Sequence, residues 1–266
     1  MILYLWIILQ IILESVPVSS SGHVALMQLY AQHFGYNGQM NEQFWIIDFL
    51  LHGPMIVILF CFFFAKWWHM IIKKNISFAH LIDHSSWKSI GNAILFVIIA
   101  DGITVAWWWF DIVPNSSLRL GFVITAILLY LTRYCKEVKK EFDGNMWYAI
   151  ALGVAQSFSF LPGVSRFATT YAVGRFLSYS GSISFAVSFL VQFPLLIAAF
   201  LKGCLALIHY PEMVHQFFNY TTVILILFST YISYVLLRCI DDIIQKNRLW
   251  LFAWYMLIPI MLTFFV

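Results

Sequence analysis

Six apolar stretches, at residues 44–64, 90–109, 118–134, 183–203, 220–238 and 249–266, are each long enough to cross lipid as a helix, and each is closed by polar loop residues. A hydrocarbon core of about 30 Å needs about 20 apolar residues per helical crossing. Composition agrees with a lipid solvent: of 266 residues 62% are hydrophobic and 10% charged, and the mean hydropathy is +0.85, whereas a soluble domain carries roughly 25% charged residues. A water-soluble globular enzyme is excluded. The expected fold is an all-α polytopic membrane protein with six spanning helices.

Two further apolar segments are interrupted. Residues 1–15 give way to Ser15-Val16-Pro17-Val18-Ser19-Ser20-Ser21-Gly22 and then to a short helical run ending near His33. Residues 146–160 give way to Leu161-Pro162-Gly163-Val164-Ser165-Arg166 and a run ending near Tyr179. Pro and Gly break a helix, and broken backbone at membrane depth is tolerated only inside protein or beside a water-filled cavity. Both segments therefore read as re-entrant helical hairpins, 1–33 and 146–179, whose tips meet near a site. Pro17 and Ser20 recur as Pro162 and Ser165, and Gln10 has a rough counterpart in Gln156. Each half, 1–135 and 136–266, is then one hairpin plus three spans. An odd number of spans inverts the second half, and such inverted repeats place binding sites at the midplane between Gly/Pro-interrupted segments.

The cations set the orientation. Lys66, Lys73, Lys74, Lys88, Arg133, Lys136, Lys139, Lys140, Arg238, Lys246 and Arg248 fall in loops on one side, and only Arg119 and Lys202 on the other. The positive-inside rule makes the first side cytoplasmic and puts both termini outside. The net charge of +3 thus reports topology, and no nucleic-acid surface is implied. No Lys or Arg precedes Lys66, so the basic start of a signal peptide is missing and the first segment is expected to be retained. Cys61, Cys135, Cys204 and Cys239 lie far apart, which argues against a zinc or redox site.

An ionisable group inside a membrane segment is expensive and by default marks function. In the hairpins these groups are Glu14, His23, Arg166 and Arg175. Gln10 and Glu14, at i and i+4, share one helix face, and their oxygens suit a hard cation such as Mg²⁺ or an ordered water. Ser19, Ser20, Ser21 and Gly22 open a helix N-terminus, which is an anion site as well as an ordinary serine cap. His23 lies three residues after Ser20, within reach of a Ser–His hydrogen bond. At the second tip Gly163 lets backbone approach a ligand, Ser165 offers a hydroxyl, Arg166 offers a fork suited to phosphate, and Thr169 and Thr170 follow. The alternative for Arg166 is a structural ion pair with Glu14 or Asp48. Arg175 is expected to snorkel to the interface. Asp48, His52 and Asp101 are secondary candidates. An acid, a hydroxyl, an imidazole and an arginine around one cavity suit phosphoryl transfer on a lipid-borne phosphate.

The run Gln10-Ile-Ile-Leu-Glu14-Ser-Val-Pro17-Val-Ser19-Ser20-Ser21-Gly22-His23 resembles the first signature of the undecaprenyl-diphosphate phosphatases, the bacitracin-resistance membrane phosphatases, and Leu161-Pro162-Gly163-Val164-Ser165-Arg166 resembles their second. The resemblance covers nearly the whole chain. It implies hydrolysis of undecaprenyl diphosphate to undecaprenyl phosphate in the bacterial inner membrane, which recycles the carrier lipid for peptidoglycan synthesis, with Mg²⁺ or Ca²⁺ as cofactor. It also implies roles: Gln10 and Glu14 holding metal or water, Ser20 as nucleophile or phosphate contact, His23 as acid/base partner, Ser165 and Arg166 clamping the diphosphate, and Thr170 lining the pocket. A homodimer is left open. Where the family continues with Ser-Gly, this chain has Phe167-Ala168, which motivates one alternative, a carrier-lipid flippase built on the same repeat.

Overall fold

A computed structural model describes residues 2–35, 44–72, 84–110, 112, 116–136, 142–210, 214 and 219–266. The expected loop cations Lys73, Lys74, Lys139 and Lys140 lie outside the described residues, as does the side chain of Lys88. The fold is all-helical, with no strand among the described residues. The order is α1 (Ile2–Glu14), α2 (Ser20–His33), α3 (Phe44–Leu50), α4 (His52–Ile72), α5 (His84–Trp109), α6 (Leu118–Leu131), α7 (Met146–Ser157), α8 (Arg166–Phe176), α9 (Gly181–His209), α10 (Tyr220–Gln245), α11 (Phe252–Tyr255) and α12 (Leu257–Leu262).

Among the described residues, four helical stretches are long and apolar enough to cross a membrane: Trp45–Ile71, Ser89–Trp109, Gly181–His209 and Tyr220–Gln245. Their outward faces carry Val57, Phe60, Ile98, Leu205, Ile208 and Leu227 in the open, the pattern of a surface solvated by lipid. The other two expected spans are shorter. α6 has 14 residues, about 21 Å at 1.5 Å per residue. It stops where Thr132 turns its hydroxyl onto the Leu129 carbonyl at 2.6 Å and the chain tightens into a 3₁₀ turn. In the last stretch, a 3₁₀ turn at Leu249–Leu251, then α11 and the Pro259-containing α12, replace one continuous helix.

Each interrupted segment folds as a pair of short helices joined by a serine-capped turn. After α1 the chain passes through Pro17, and Ser19 caps α2 by accepting the Gly22 N–H at 3.0 Å. After α7 comes a 3₁₀ turn at Phe158–Phe160; Gly163 takes φ 87°, and Ser165 caps α8 by accepting the Ala168 N–H at 3.2 Å. The caps Ser19 and Ser165 stand 146 residues apart, as do Gln10 and Gln156. The Pro-x-x-Ser match pairs Ser20 with Ser165, so it runs one residue out of step with the caps. In cap register the counterpart of Ser20 is Arg166.

The two tips touch. A Cβ on Gly22 would sit 2.7 Å from the Gly163 Cα, and one on Gly163 would sit 2.5 Å from the Leu118 carbonyl oxygen. α6 seats the second tip: Thr125 donates its hydroxyl to the Gly163 carbonyl at 3.1 Å and accepts the Ser165 N–H at 3.0 Å. Because backbone meets backbone here, Gly22→Ala is expected to destabilise the protein by about 1–3 kcal/mol, the usual cost of overpacking. Thermal unfolding in detergent measures it, and an unchanged midpoint would mean that the tips part without cost.

Behind the tips, Phe63, Phe185 and Phe189 are fully buried, and Phe167 joins them with ring centres 5.5 Å from Phe185 and 4.8 Å from Phe189. The bulky residue at the second tip is therefore absorbed largely by the core. α1 packs on α10, and α9 packs against α3, α4 and α8. Arg175 does not snorkel. It is 3% exposed and donates to the Tyr179 and Cys135 carbonyls at 2.9 and 3.3 Å and to Asn247 Oδ1 at 3.4 Å, so it ties the end of α8 to the 3₁₀ turn after α6 and the end of α10.

Candidate active site

A cavity of about 520 Å³ opens between the two tips and α9. Gln10, Glu14, Ser19, Ser20, Ser21, Ser165 and Arg166 line it, together with Asp48 and His52. The N-termini of α2 and α8 both abut it, so two sets of unpaired helix N–H groups favour an anion there.

Glu14 is the hub. Its Oε2 accepts the Ser20 hydroxyl at 2.6 Å, and its Oε1 accepts the Gln192 amide N–H at 3.0 Å. A short hydrogen bond from a hydroxyl to a carboxylate gives that hydroxyl a proton acceptor. Arg166 is anchored by one bond, Nε to the Ser159 hydroxyl at 3.1 Å, and Ser159 is itself fixed on the Gln156 carbonyl at 2.5 Å. The structural ion pair considered for Arg166 does not form; among the described residues the one ion pair within 4.0 Å is Lys66 with Asp241. The Nη groups of Arg166 make no hydrogen bond to the described residues and are free for phosphate oxygens.

Other candidates are placed differently. No Ser20–His23 hydrogen bond forms: His23 Nδ1 faces the Ser19 carbonyl at 2.6 Å, and Nε2 meets the Tyr255 hydroxyl at 3.1 Å. A carbonyl can only accept, so Nδ1 carries the proton and Nε2 accepts from Tyr255. The imidazole also stacks on Tyr255 with centroids 5.8 Å apart, and neither residue lines the cavity. Thr170 is fully buried and donates to the Arg166 and Phe167 carbonyls at 2.8 and 3.2 Å, and Thr169 likewise donates to Arg166 at 2.9 Å; Thr170 supports the α8 terminus and does not line the cavity. Gly163 is likewise behind the wall, where it allows the close approach to α6. Asp101 accepts from Gln156 Nε2 at 2.8 Å and also lies behind the wall.

Sequence reasoning passed over three residues here. Gln192 is the sole amide in the apolar run 183–203, a signal that could have found it. Lys202, counted only as a topology charge, lines the cavity with its Nζ 5.0 Å from the Phe49 ring centre and 5.7 Å from that of Trp108. Ser159 carried no signal beyond lying near the second tip.

The profile of the family described as bacitracin resistance protein BacA matches residues 4–261. The chain belongs to the BacA family. Among similar proteins, the undecaprenyl-diphosphatase of Thermotoga sp. (strain RQ2) is 26% identical over 264 residues, covering 97% of each chain. That of Alkaliphilus metalliredigens (strain QYMF) is 24% identical over 260 residues, covering 93% of this chain and 91% of its own, and that of Halothermothrix orenii (strain H 168) is 28% identical over 257 residues, covering 93% and 90%. The BacA match spans every residue that lines the cavity.

Proposed function

We propose that this chain hydrolyses undecaprenyl diphosphate to undecaprenyl phosphate and inorganic phosphate in the bacterial inner membrane, recycling the carrier lipid for cell-wall synthesis. Membership in the BacA family and relatives named undecaprenyl-diphosphatase favour hydrolysis over a flippase. The single observation that carries the chemistry is the Ser20–Glu14 hydrogen bond at 2.6 Å in the cavity that Arg166 also lines. In this reading the distal phosphate lies between the N-termini of α2 and α8. Ser20 Oγ attacks its phosphorus as Glu14 Oε2 takes the hydroxyl proton, and the bond to the bridging oxygen breaks to release undecaprenyl phosphate. Water then cleaves the phosphoserine. Arg166 stabilises the charge that spreads over the equatorial oxygens. His23, held between the Ser19 carbonyl and Tyr255, keeps the serine tip in shape. Ser19, Ser21 and Ser165 shape the anion pocket.

The topology that accompanies this reading has six spans and two re-entrant hairpins in two inverted halves, 1–135 and 136–266, with both termini outside. The common cap spacing supports it. A divalent cation, Mg²⁺ or Ca²⁺, fits the donor set: Gln10 Oε1 is buried without a partner among the described residues, one helical turn before Glu14, which lines the same cavity, and hard cations take carboxylate and amide oxygens. No group of three or more His, Cys, Asp or Glu side chains gathers among the described residues, so such an ion would rest on Glu14, amide oxygens and the substrate. Bound there, it would neutralise diphosphate charge. The test is inorganic phosphate release from undecaprenyl diphosphate by the purified protein in detergent, with and without a chelator. Release that the chelator abolishes and Mg²⁺ restores is the expected result. No release from any prenyl diphosphate, together with lipid transfer in proteoliposomes, would favour the flippase.

A further inference from the structure

We infer that Gln192 supplies a third protein oxygen to the divalent-cation site, so that the ion is held jointly by α1 and α9. The inference rests on the reading above that Gln10 and Glu14 hold a cation. Gln192 sits on α9 two residues before Pro194, which breaks the helix's hydrogen-bond ladder from within. Its side chain is 3% exposed, lines the cavity and donates from Nε2 to Glu14 Oε1 at 3.0 Å.

That hydrogen bond fixes the amide's orientation. A carboxylate oxygen only accepts, so the NH₂ end must face Glu14 and the carbonyl end must point elsewhere. The carbonyl end, Oε1, is buried and has no partner among the described residues. So is Oε1 of Gln10, which also lines the cavity. Two buried amide oxygens on residues that line the cavity with Glu14, neither with a donor among the described residues, are costly if left unsatisfied. One hard cation satisfies both and is attracted by the carboxylate. The set is poor in carboxylate, with Gln at position 10, and a further neutral oxygen compensates through ligand number rather than charge. Mg²⁺ would keep waters or substrate oxygens in its remaining positions.

Two substitutions separate a ligand from a mere support for Glu14. Gln192→Ala removes both the oxygen and the N–H. Gln192→Glu keeps an oxygen, and a better one for a hard cation, but can no longer donate to Glu14. Binding is read on purified protein with Mn²⁺ as the probe, by the loss of the free-ion electron paramagnetic resonance signal, with Mg²⁺ in competition and no substrate present. Gln192→Ala should weaken Mn²⁺ binding by about 10-fold or more, the lower end of what loss of a metal's supporting contacts costs, and Gln192→Glu should bind at least as tightly as the native chain. If Gln192→Glu binds as weakly as Gln192→Ala, Gln192 only orients Glu14 and the inference is overturned. It is also overturned if Gln192→Ala binds normally. If Gln192→Ala does not fold, the Glu variant decides alone, and a tenfold loss there refutes the ligand role. A native chain that binds no Mn²⁺ while still releasing phosphate from the lipid sinks the cation site itself and leaves the hydrolysis standing.

Discussion

Arg166→Ala should lower kcat/KM for undecaprenyl diphosphate by about 10³–10⁵-fold, the range in which a single arginine serves phosphoryl transfer. The expectation follows from how the side chain is held. Its Nε is fixed by Ser159 and its Nη groups make no hydrogen bond to the described residues, so the guanidinium is aimed at the cavity with its fork open. Little of the fold depends on it, because Thr169 and Thr170 bond to its backbone carbonyl, which alanine keeps. Arg166→Lys restores the charge but neither the fork nor the Ser159 anchor, since an ammonium acts as a point charge; it should recover less than about a tenth of the lost activity. Phosphate release in detergent at saturating and limiting lipid gives both constants. Near-native turnover by Arg166→Ala would remove the clamp from the mechanism.

The same residue shows what could be read from the sequence and why. Charge is so scarce in this chain that Glu14 and Arg166, set in broken apolar runs, stood out before any geometry was known. Four membrane-length helices and the two breaks at Pro17 and at Pro162-Gly163 were legible because lipid length and helix breaking are local properties, written in consecutive residues. The lengths of the expected spans at 118–134 and 249–266 were not, because hydropathy does not register the 3₁₀ turns after Leu131 and at Leu249 that end or break them.

Pairings across the chain were harder still. Sequence spacing favoured Ser20 with His23, three residues apart, yet the cap at Ser19 starts α2 so that His23 turns back to its own turn's carbonyl and to Tyr255. Ser20 turns to Glu14, at the end of α1. Gln192 reaches Glu14 from 178 residues away, a partner that only tertiary packing can bring. The bulky Phe167, which motivated the flippase alternative, is seated mostly between Phe185 and Phe189, and that depends on a core built from a helix later in the chain.

The pairing of Ser20 with Glu14 carries the second large effect. Glu14→Gln keeps a side chain of the same size that can still accept the Ser20 hydroxyl, but it removes the carboxylate's basicity. Ser20→Ala removes the attacking oxygen and leaves Glu14 held by Gln192. Each is expected to lower kcat by about 10²–10⁴-fold, as loss of a positioned proton acceptor or its nucleophile does, with smaller changes in KM, since Arg166 and the two helix N-termini still bind the diphosphate. Because hydroxyl and carboxylate act as one unit, the double variant should be no slower than the worse single one. Multiplying effects in that cycle would mean separate tasks, with Glu14 serving a water or the cation and Ser20 only contacting phosphate. Acid-stable phosphate label on the protein during turnover, present in the native chain and absent in Ser20→Ala, distinguishes covalent attack by Ser20 from attack by a water that Glu14 activates directly.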